Sequence, residues 1–514
     1  MKGGIIFLNF ITTDLVDEKA GIEQAIVNRI KLLKTLDGVK IKLITLSSNQ
    51  TLHRTLANDD IHDNDSINLF DYFGNDLDVK LHPLDFDYIK EWCEQLKLNI
   101  NQYDKDRASL VINQTAIAWL FFDPQGLLEQ VDVYDQQGRV VKSELFDSRG
   151  FKSVDRFYSA NNHQLIFERH YNHNRQSFIE HFFSRVGDEV KLTKIHLTWK
   201  KQLFQFTKQS DLWTFFLNCI SQEQDNPIMF SERQEVTYPL LHAYHSMKKV
   251  LCLHGDHVNS HAINQQGDQE IIGSLNPNYE YALENLTHWD AVIMSTESQK
   301  RIFIKRFGEQ VPVFAIPVGY ITEIKPVAWN ERHLNEIICV ARLSAEKQHS
   351  QLIEAFKQVL DVIPQARLNL WGFDNGMKEK LIQLIKTLDL QDKVKLCGYQ
   401  KNLNDIYNHA NLSVLTSNNE GFNLALMESI AHGVPTIAYN AHYGAETMID
   451  NGYNGYIVPL NNTAELAQKM IEILSNQEVA KKFSNNAYQK ASEFDASTVS
   501  SKWIDFLVML KEIG

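Results

Sequence analysis

Two glutamates, Glu420 and Glu428, flank a glycine turn in the sequence EGFNLALME. An apolar, strand-like run at 411–416 precedes the turn, and a helical pattern follows it. The turn is therefore predicted at the carboxyl end of a strand and the start of a helix, where open α/β sheets bind their ligands. The unpaired N–H groups of residues 422–424 would bind a diphosphate, and the two carboxylates would accept hydrogen bonds from hydroxyl groups on either side of it. Taken alone, two such glutamates are more often solvated surface acids.

Two cations follow an earlier predicted strand of the same sheet. That strand ends at Arg342, and Lys347 comes five residues later, just before a helical pattern that begins at residue 350. Two cations at one sheet edge can neutralise the charge that develops on a departing nucleotide diphosphate, as a magnesium ion does elsewhere. Independent surface charges have no reason to gather there. Together with the two glutamates, the cations favour a nucleotide-sugar site.

Length and composition limit the class of protein. The chain of 514 residues is enough for about three domains at ~150 residues each. Its 51 basic and 64 acidic residues give a net charge of −13, which argues against nonspecific binding to nucleic acid or anionic lipid. Five cysteines without a Cys-x-x-Cys pair are typical of a reducing compartment. No secretory signal and no run of ~20 apolar residues is recognisable, so we expect a soluble, cytoplasmic protein with at most peripheral membrane association.

From about residue 335, short apolar runs alternate with helical patterns. The predicted strands are 337–342, 367–371, 394–398, 412–415, 436–439 and 455–458, and the predicted helices are 350–362, 376–388 and 422–431. This alternation predicts a parallel, doubly wound sheet of the Rossmann type. The stretch 478–514 is predicted to be helical, with an apolar stripe that packs back onto the body of the protein.

The N-terminal part begins with the same alternation, but three near-copies of one turn interrupt it. FDPQG at 122–126, YDQQG at 134–138 and FDSRG at 146–150 recur every twelve residues. An aspartate that opens a turn, with a glycine three residues later and alternating runs on both sides, predicts a β-meander of successive hairpins. The α/β pattern resumes at residue 227. We predict an N-terminal Rossmann-like domain at 1–75 and 206–325, a β-rich insertion at 76–205, a C-terminal Rossmann-like domain at 326–490 and a packing helix at 491–514.

These motifs resemble those of retaining glycosyltransferases of family 4. The resemblance rests on Arg342, Lys347, the 420–428 motif, Ile-Pro-Val-Gly at 316–319 and Tyr-Gly at 443–444. It implies the GT-B fold: an α/β protein with two Rossmann-like domains facing a cleft, here with a β-meander inserted in the N-terminal half. The hairpin insertion resembles that of a bacterial subgroup. The subgroup contains the glycosyltransferase A-type enzymes of the accessory Sec system and the α-N-acetylglucosaminyltransferase of wall teichoic acid.

The resemblance implies individual roles for the site residues. Glu428 would bind the ribose hydroxyls of UDP, and Glu420 the donor-sugar hydroxyls near the reacting carbon. Arg342 and Lys347 would hold the diphosphate. Gly21, at the start of the first helix, would let the backbone approach the donor phosphate, although a plain helix start explains it nearly as well.

A histidine after a first-domain strand commonly reaches the donor sugar in this family. Between the two candidates we prefer His257 to His254. The predicted catalytic residues are Glu420, Arg342, Lys347 and His257. The predicted substrate-binding residues are Gly21, His254, Tyr399, Gly421, Phe422, Asn423, Leu424 and Glu428. Family members often carry glycine at the position of Asn423, a mild change because asparagine tolerates left-handed backbone.

The implied reaction is transfer of glucose or N-acetylglucosamine, with retention, from a UDP-sugar to serine or threonine hydroxyls of a serine-rich adhesin. A wall teichoic acid acceptor is the alternative, against which the acidic net charge is a modest argument. Another alternative is a non-catalytic, glycopeptide-binding partner, but the presence of both cations and both glutamates favours an enzyme. The insertion is predicted to recruit the acceptor or to mediate assembly, as a homo-oligomer or with a homologous subunit.

No metal or other cofactor is expected. Histidines recur at 242, 245, 254, 257 and 261, but neither His-Glu-x-x-His nor a Cys/His ligand pattern accompanies them. A dinucleotide-dependent oxidoreductase is disfavoured because no Gly-x-Gly-x-x-Gly motif follows a predicted strand.

Overall fold

The structure is a computed structural model that describes residues 5–19, 21–80, 82–95, 98–102, 104–112, 114–258, 273–441 and 443–512. The chain divides into two compact units. The first comprises 1–17 and 37–249, and the second comprises 18–36 and 250–514. No helix among the described residues is long and apolar enough to cross a membrane.

A six-stranded parallel sheet forms the C-terminal part of the second unit. Its strands are β18 (Glu336–Val340), β19 (Arg367–Trp371), β20 (Val394–Gly398), β21 (Leu412–Leu415), β22 (Thr436–Tyr439) and β23 (Gly455–Val458). They lie in the order β20-β19-β18-β21-β22-β23. The order therefore reverses direction between β18 and β21, which makes a topological switch point at the centre of the sheet.

Amphipathic helices cover this sheet. Their bounds are His349–Val362, Lys378–Thr387, Asn404–His409, Leu424–Ala431, Gly444–Met448, Thr463–Ser475 and Gln477–Ala491. The first of them buries Leu352, Phe356 and Val359, at helical spacing, against strand residues such as Ile337. Each such side chain contributes ~1.5–3 kcal/mol by leaving water, so the helices hold the strand ends in fixed positions.

The second unit also contains residues 250–253 of β15 (Lys248–Leu253), together with the parallel strands β16 (Ala291–Met294) and β17 (Val313–Ala315). Among the described residues of this unit, the other α-helices are Gly21–Leu33, Glu280–Glu284, Glu297–Phe307 and Ala496–Glu512. The last helix buries the apolar stripe predicted for it. Trp503 is 1% exposed, and the guanidinium of Arg29, from the helix Gly21–Leu33, lies 5.3 Å from its ring centroid.

The first unit contains a parallel sheet and an antiparallel one. The parallel strands are β1 (Ile6–Thr12), β2 (Val39–Thr45), β3 (Ser66–Asn68) and β14 (Ile228–Ser231). They lie in the order β14-β1-β2-β3. The helices of this unit are Leu52–Asn58, Leu69–Gly74, Phe86–Gln95, Gln209–Gln222 and Gln234–His242. Phe86–Gln95 precedes the first antiparallel strand, in a stretch that the sequence assigned to the β-rich insertion.

Ten consecutive strands form the antiparallel sheet, in the order in which they occur in the chain. They are β4 (Asn99–Gln102), β5 (Arg107–Ile112), β6 (Thr115–Phe122), β7 (Leu128–Tyr134), β8 (Val140–Asp147), β9 (Phe151–Tyr158), β10 (Leu165–Tyr171), β11 (Ser177–Val186), β12 (Glu189–Trp199) and β13 (Gln202–Phe206). The predicted β-meander is therefore confirmed.

The three repeated turns share one geometry. In each, the aspartate side chain accepts a hydrogen bond from the amide two residues later, as in Asp123 with Gln125 at 2.8 Å. The glycine three residues after each aspartate has a positive φ, 82° in Gly126. Glycine adopts that conformation without steric cost, which explains why the motif repeats with glycine in this place.

Candidate nucleotide-sugar site

The candidate site lies in the second unit, at the carboxyl ends of β18 and β21, which pair in parallel. Two hydrogen bonds tie the loops that follow these strands. The hydroxyl of Thr416 donates to the carbonyl of Lys347 at 2.9 Å, and the amide of Asn418 donates to the carbonyl of Glu346 at 3.0 Å. The two predicted halves of the site are therefore neighbours, as expected from strands that end at one sheet edge.

Lys347 and Glu420 form an ion pair. Nζ of Lys347 lies 2.6 Å from Oε1 of Glu420, and the two side chains are 15% and 14% exposed. An ion pair this well shielded interacts more strongly than one on the open surface. The pair places a positive and a negative group together next to the switch point, where each can make a separate contact with a bound ligand.

Arg342 is more exposed, at 37% of its side chain, and pairs with Glu346. Its Nη2 lies 3.1 Å from Oε1 of Glu346, which also accepts a hydrogen bond from Ser344 Oγ at 2.6 Å. Burial raises the pKa of the Glu346 carboxyl, but the Ser344 hydrogen bond and the charges of Arg342 and Lys347 outweigh it and hold the pKa below its usual range. Sequence reasoning missed Glu346, although an acid four residues after Arg342 was a signal.

Glu428 lies on the helix Leu424–Ala431, partly buried, with Tyr407 beside it. The hydroxyl of Tyr407 donates to Oε2 of Glu428 at 3.0 Å. Burial raises the pKa of Glu428 to about 7, although the hydrogen bond acts in the opposite direction. Burial and the neighbouring carboxylate raise the pKa of Tyr407 as well. Tyr407 lies 21 residues earlier in the chain, and no local pattern pointed to it.

Asn423 begins this helix in the left-handed conformation, with φ 75° and ψ 85°. Its side-chain oxygen accepts a hydrogen bond from the amide of Leu426 at 3.1 Å, so it caps the helix. Asparagine is among the few non-glycine residues that tolerate this backbone and can also cap. The cap moves the helix start to Leu424, two residues after the predicted start.

Gly421 and Gly444 lie where backbone segments approach closely. A Cβ at Gly421 would lie 2.1 Å from the carbonyl oxygen of His254, and a Cβ at Gly444 would lie 2.4 Å from that of Phe422. The Phe422 side chain is 3% exposed and belongs to the apolar core. Its predicted contribution to binding can therefore come only from its backbone.

The two candidate histidines differ in exposure. The His254 side chain is partly exposed, and the Tyr279 hydroxyl accepts hydrogen bonds from the amides of His254 and Gly255, each at 3.1 Å. His257 is fully buried, and its ring centroid lies 5.5 Å from that of Phe303 and 6.3 Å from that of Tyr443. Exposure thus ranks the two histidines in the opposite order from the sequence-based preference.

An apolar cavity of about 140 Å³ borders Arg342. Trp371, Phe373 and Tyr399 line it, together with the backbone of Gly372. Tyr399 is 38% exposed, and its ring centroid lies 6.3 Å from that of Phe373. A flat aromatic ring such as a nucleobase fits a cavity of this chemistry.

Gly21 begins the helix Gly21–Leu33, and a Cβ added there would meet no atom within 4 Å. This leaves room for a ligand beside the backbone, as its predicted role requires. The preceding residue, Ala20, lies outside the described residues.

Among the described residues, one group of His, Cys, Asp and Glu side chains is close enough to hold a metal ion. It consists of Glu168, His170 and His181, in the antiparallel sheet and not in the candidate site. Of the histidines that suggested a metal from sequence, His261 lies outside the described residues. His242 contacts the carbonyl of Tyr238 instead, at 2.9 Å.

Comparison with known proteins gives consistent matches. Residues 322–490 match the model of the family "Glycosyl transferases group 1". A UDP-N-acetylglucosamine–peptide N-acetylglucosaminyltransferase GtfA subunit from Streptococcus agalactiae is 24% identical over 95% of this chain and 96% of its own length. The poly(ribitol-phosphate) alpha-N-acetylglucosaminyltransferase of Staphylococcus aureus is 20% identical over 85% of this chain and 86% of its own.

Solved structures match over nearly the whole length. The pneumococcal O-GlcNAc transferase GtfA, solved with UDP and GlcNAc, has a TM-score of 0.81 at 19% identity and covers 99% of both chains. A chain of a GtfA/B complex has a TM-score of 0.77 at 22% identity and also covers 99% of both chains. At these identities the likeness establishes the fold, and the GT-B fold expected from the sequence is confirmed.

Proposed function

We propose that this chain, a group 1 glycosyltransferase with the GT-B fold, transfers N-acetylglucosamine from UDP-N-acetylglucosamine to serine or threonine hydroxyls of a polypeptide. The observation that carries the proposal is the arrangement of Lys347, Glu420 and Arg342 at the switch point between β18 and β21. The relative from Streptococcus agalactiae, which matches over 95% of this chain, supports the choice of sugar and acceptor.

In the proposed donor complex, each cation exchanges one partner for another. Without donor, Glu420 holds Lys347 and Glu346 holds Arg342. The diphosphate takes over both cations, and Glu420 then accepts hydrogen bonds from the sugar. Because the acids hold the cations in place beforehand, little side-chain entropy is lost when the donor binds.

The remaining donor contacts follow from the neighbouring residues. Glu428 accepts hydrogen bonds from the ribose hydroxyls, and the uracil ring enters the cavity beside Tyr399. The amides at the start of the helix Leu424–Ala431 bind a phosphate oxygen. For the donor sugar we propose His254 as the contacting histidine, because it is partly exposed and its carbonyl adjoins Gly421.

The proposed reaction retains the anomeric configuration. The bond between the anomeric carbon and the β-phosphate oxygen breaks, and a bond from that carbon to the acceptor oxygen forms on the same face of the sugar. The acceptor proton moves to the departing phosphate oxygen. Lys347 and Arg342 stabilise the charge on the diphosphate, so we propose that the reaction needs no metal ion.

A teichoic acid acceptor is the second candidate, because the matched relative from Staphylococcus aureus acts on poly(ribitol phosphate). The net charge of −13 disfavours a polyanionic acceptor, although a local basic surface would offset it. We further propose a cytoplasmic location and assembly with a homologous subunit, since a matched structure is a GtfA/B complex.

The test is a donor and acceptor screen read by mass spectrometry. The chain is incubated with UDP-N-acetylglucosamine or UDP-glucose, and with a serine-rich peptide or poly(ribitol phosphate), in the presence of EDTA. We expect a mass increase of one N-acetylhexosamine per modified serine, and NMR of the product should identify an α-linkage. A β-linkage would contradict retention, and activity restored only by a divalent cation would contradict metal independence.

Variants connect the activity to the site. Lys347→Met should abolish transfer, whereas Lys357→Met, on the exposed face of the helix His349–Val362, should leave it unchanged. A folded wild-type chain that binds UDP but transfers sugar to neither acceptor would contradict the enzyme and support a binding role. The screen is repeated with the homologous subunit present, so that an absence of sugar transfer cannot be due to the lack of that subunit.

A further inference from the structure

Three potential metal ligands share one face of the antiparallel sheet in the first unit. Glu168 and His170 are two residues apart on β10, so their side chains lie on the same face. His181, on β11, is the direct cross-strand partner of Glu168. The proposed glycosyltransferase function uses none of the three.

Their ligand atoms converge. Nε2 of His170 lies 2.8 Å from Oε1 of Glu168, and Nδ1 of His181 lies 3.1 Å from the same oxygen. All three atoms lie within 4.8 Å of one another. Ligand atoms that bind one tetrahedral zinc ion at ~2.0–2.2 Å lie roughly 3.3–3.6 Å apart, so small rotations of the side chains would place an ion between them.

The surroundings hold the ligands in position. Arg156, the partner of Glu168 on β9, donates from Nε to Oε2 at 2.8 Å and leaves Oε1 facing the histidines. The ring of Phe70 covers the group, with its centroid 4.4 Å from that of His170 and 6.4 Å from that of His181. A hydrogen-bonded carboxylate ligand and an apolar cover are the outer shell that metal sites require.

Burial adds a second reason. Glu168, His170 and His181 are 8%, 2% and 6% exposed. Three potential ligands that are buried together differ from the exposed acidic groups that commonly cluster without an ion.

We propose that Glu168, His170 and His181 form a zinc site that joins β10 to β11 within the inserted sheet. One carboxylate and two imidazoles are a ligand set that zinc takes in proteins, with a water molecule as the fourth ligand. The ion stabilises the sheet, and none of its three ligands is a residue of the proposed donor site.

The test measures zinc in the full chain prepared without a polyhistidine tag. Metal is removed with a chelator, zinc is added back, unbound ions are removed by gel filtration, and bound zinc is counted by inductively coupled plasma mass spectrometry. We expect about one equivalent per chain. Zinc should raise the Tm of the stripped protein, and EDTA should reverse the increase. Cobalt(II) should give the visible absorption of a tetrahedral site.

Variants locate the ion. Glu168→Gln and His181→Gln should each lose the bound zinc and the visible absorption of bound cobalt(II). The matched control is His196→Gln, on β12, since His196 pairs with Glu180 and lies on the opposite face from His181. A folded wild-type chain that retains under a tenth of an equivalent, with a Tm insensitive to zinc and EDTA, would overturn the proposal. Full retention of zinc by folded Glu168→Gln would overturn it as well.

Discussion

The hydroxyl of Tyr407 lies 3.0 Å from Oε2 of Glu428, and burial raises the pKa of this carboxyl to about 7. An unfolded glutamate titrates near 4.5. The folded chain therefore binds more protons than the unfolded chain between these two pH values. Any stability that the protonated carboxyl contributes is fully present below pH 4.5 and decreases as the pH rises through 7.

This relationship predicts a pH-dependent effect of Glu428→Gln. Below pH 4.5 the variant and the wild type should be similarly stable. Above pH 7 the variant should be more stable, by at most about 3 kcal/mol, because its amide needs no proton. Urea unfolding at pH 4.5, 6 and 8 measures the difference, with Glu420→Gln as the matched control. A difference that does not change with pH would rule out a raised pKa for Glu428.

The affinity for UDP should depend on pH in the opposite direction from the stability, through the same residue, Glu428. If the ribose hydroxyls donate to Glu428, UDP binds best to the ionised carboxylate, so its affinity should rise between pH 6 and pH 8. Calorimetric titration measures the affinity. The phosphate of UDP also titrates in this range, so the comparison is with Glu428→Gln, which should bind UDP more weakly and show a smaller increase. If the affinity for UDP rises equally with pH in the wild type and in Glu428→Gln, Glu428 does not contact the donor.

Substitution of Glu420 should mainly lower turnover, whereas substitution of Glu428 should mainly weaken donor binding. Glu420→Gln loses the charge that holds Lys347 at 2.6 Å and, in the proposed donor complex, weakens the contact with the sugar. We expect it to lower kcat by about a hundredfold with little change in UDP affinity, as removal of one transition-state contact does elsewhere. Initial rates over a range of UDP-N-acetylglucosamine concentrations separate kcat from KM. The assignment of roles fails if both variants bind and turn over donor normally.

Much of the fold was predictable because its signals are local. The strand patterns located β20, β21, β22 and β23 to the residue. The aspartate–glycine spacing located the hairpins. Both patterns depend on backbone geometry within a few residues. The adjacency of Lys347 and Glu420 also followed, because two strands of one parallel sheet end at the same edge.

The partners of the site residues were not predictable in the same way. Tyr407 reaches Glu428 from another helix, and His181 reaches Glu168 from the next strand. Which side chains meet in these places depends on strand register and helix packing, and one residue of register reverses the face of a strand. The burial of His257 among aromatic rings has the same origin.

Two glycines predicted to line the donor site should respond differently to an added methyl group. Gly421→Ala would bring Cβ to 2.1 Å from the carbonyl of His254, so we expect a loss of about 1–3 kcal/mol in unfolding free energy and a loss of transfer. Gly21→Ala meets no protein atom within 4 Å and should not lower stability. If the donor phosphate approaches Gly21, that variant should nevertheless raise KM. An unchanged KM would leave Gly21 as a helix start.

Asn423 combines a left-handed backbone with a helix cap, and substitutions separate the two. Asn423→Ala loses the hydrogen bond to Leu426 and strains the backbone, which should cost about 2 kcal/mol. Asn423→Gly loses the cap but fits the φ of 75°, so it should cost only a few tenths of a kcal/mol. Urea unfolding gives the stability, and UDP titration tests whether the helix start takes part in the proposed phosphate binding. Equal stability of the two variants would mean that backbone strain does not select the residue here.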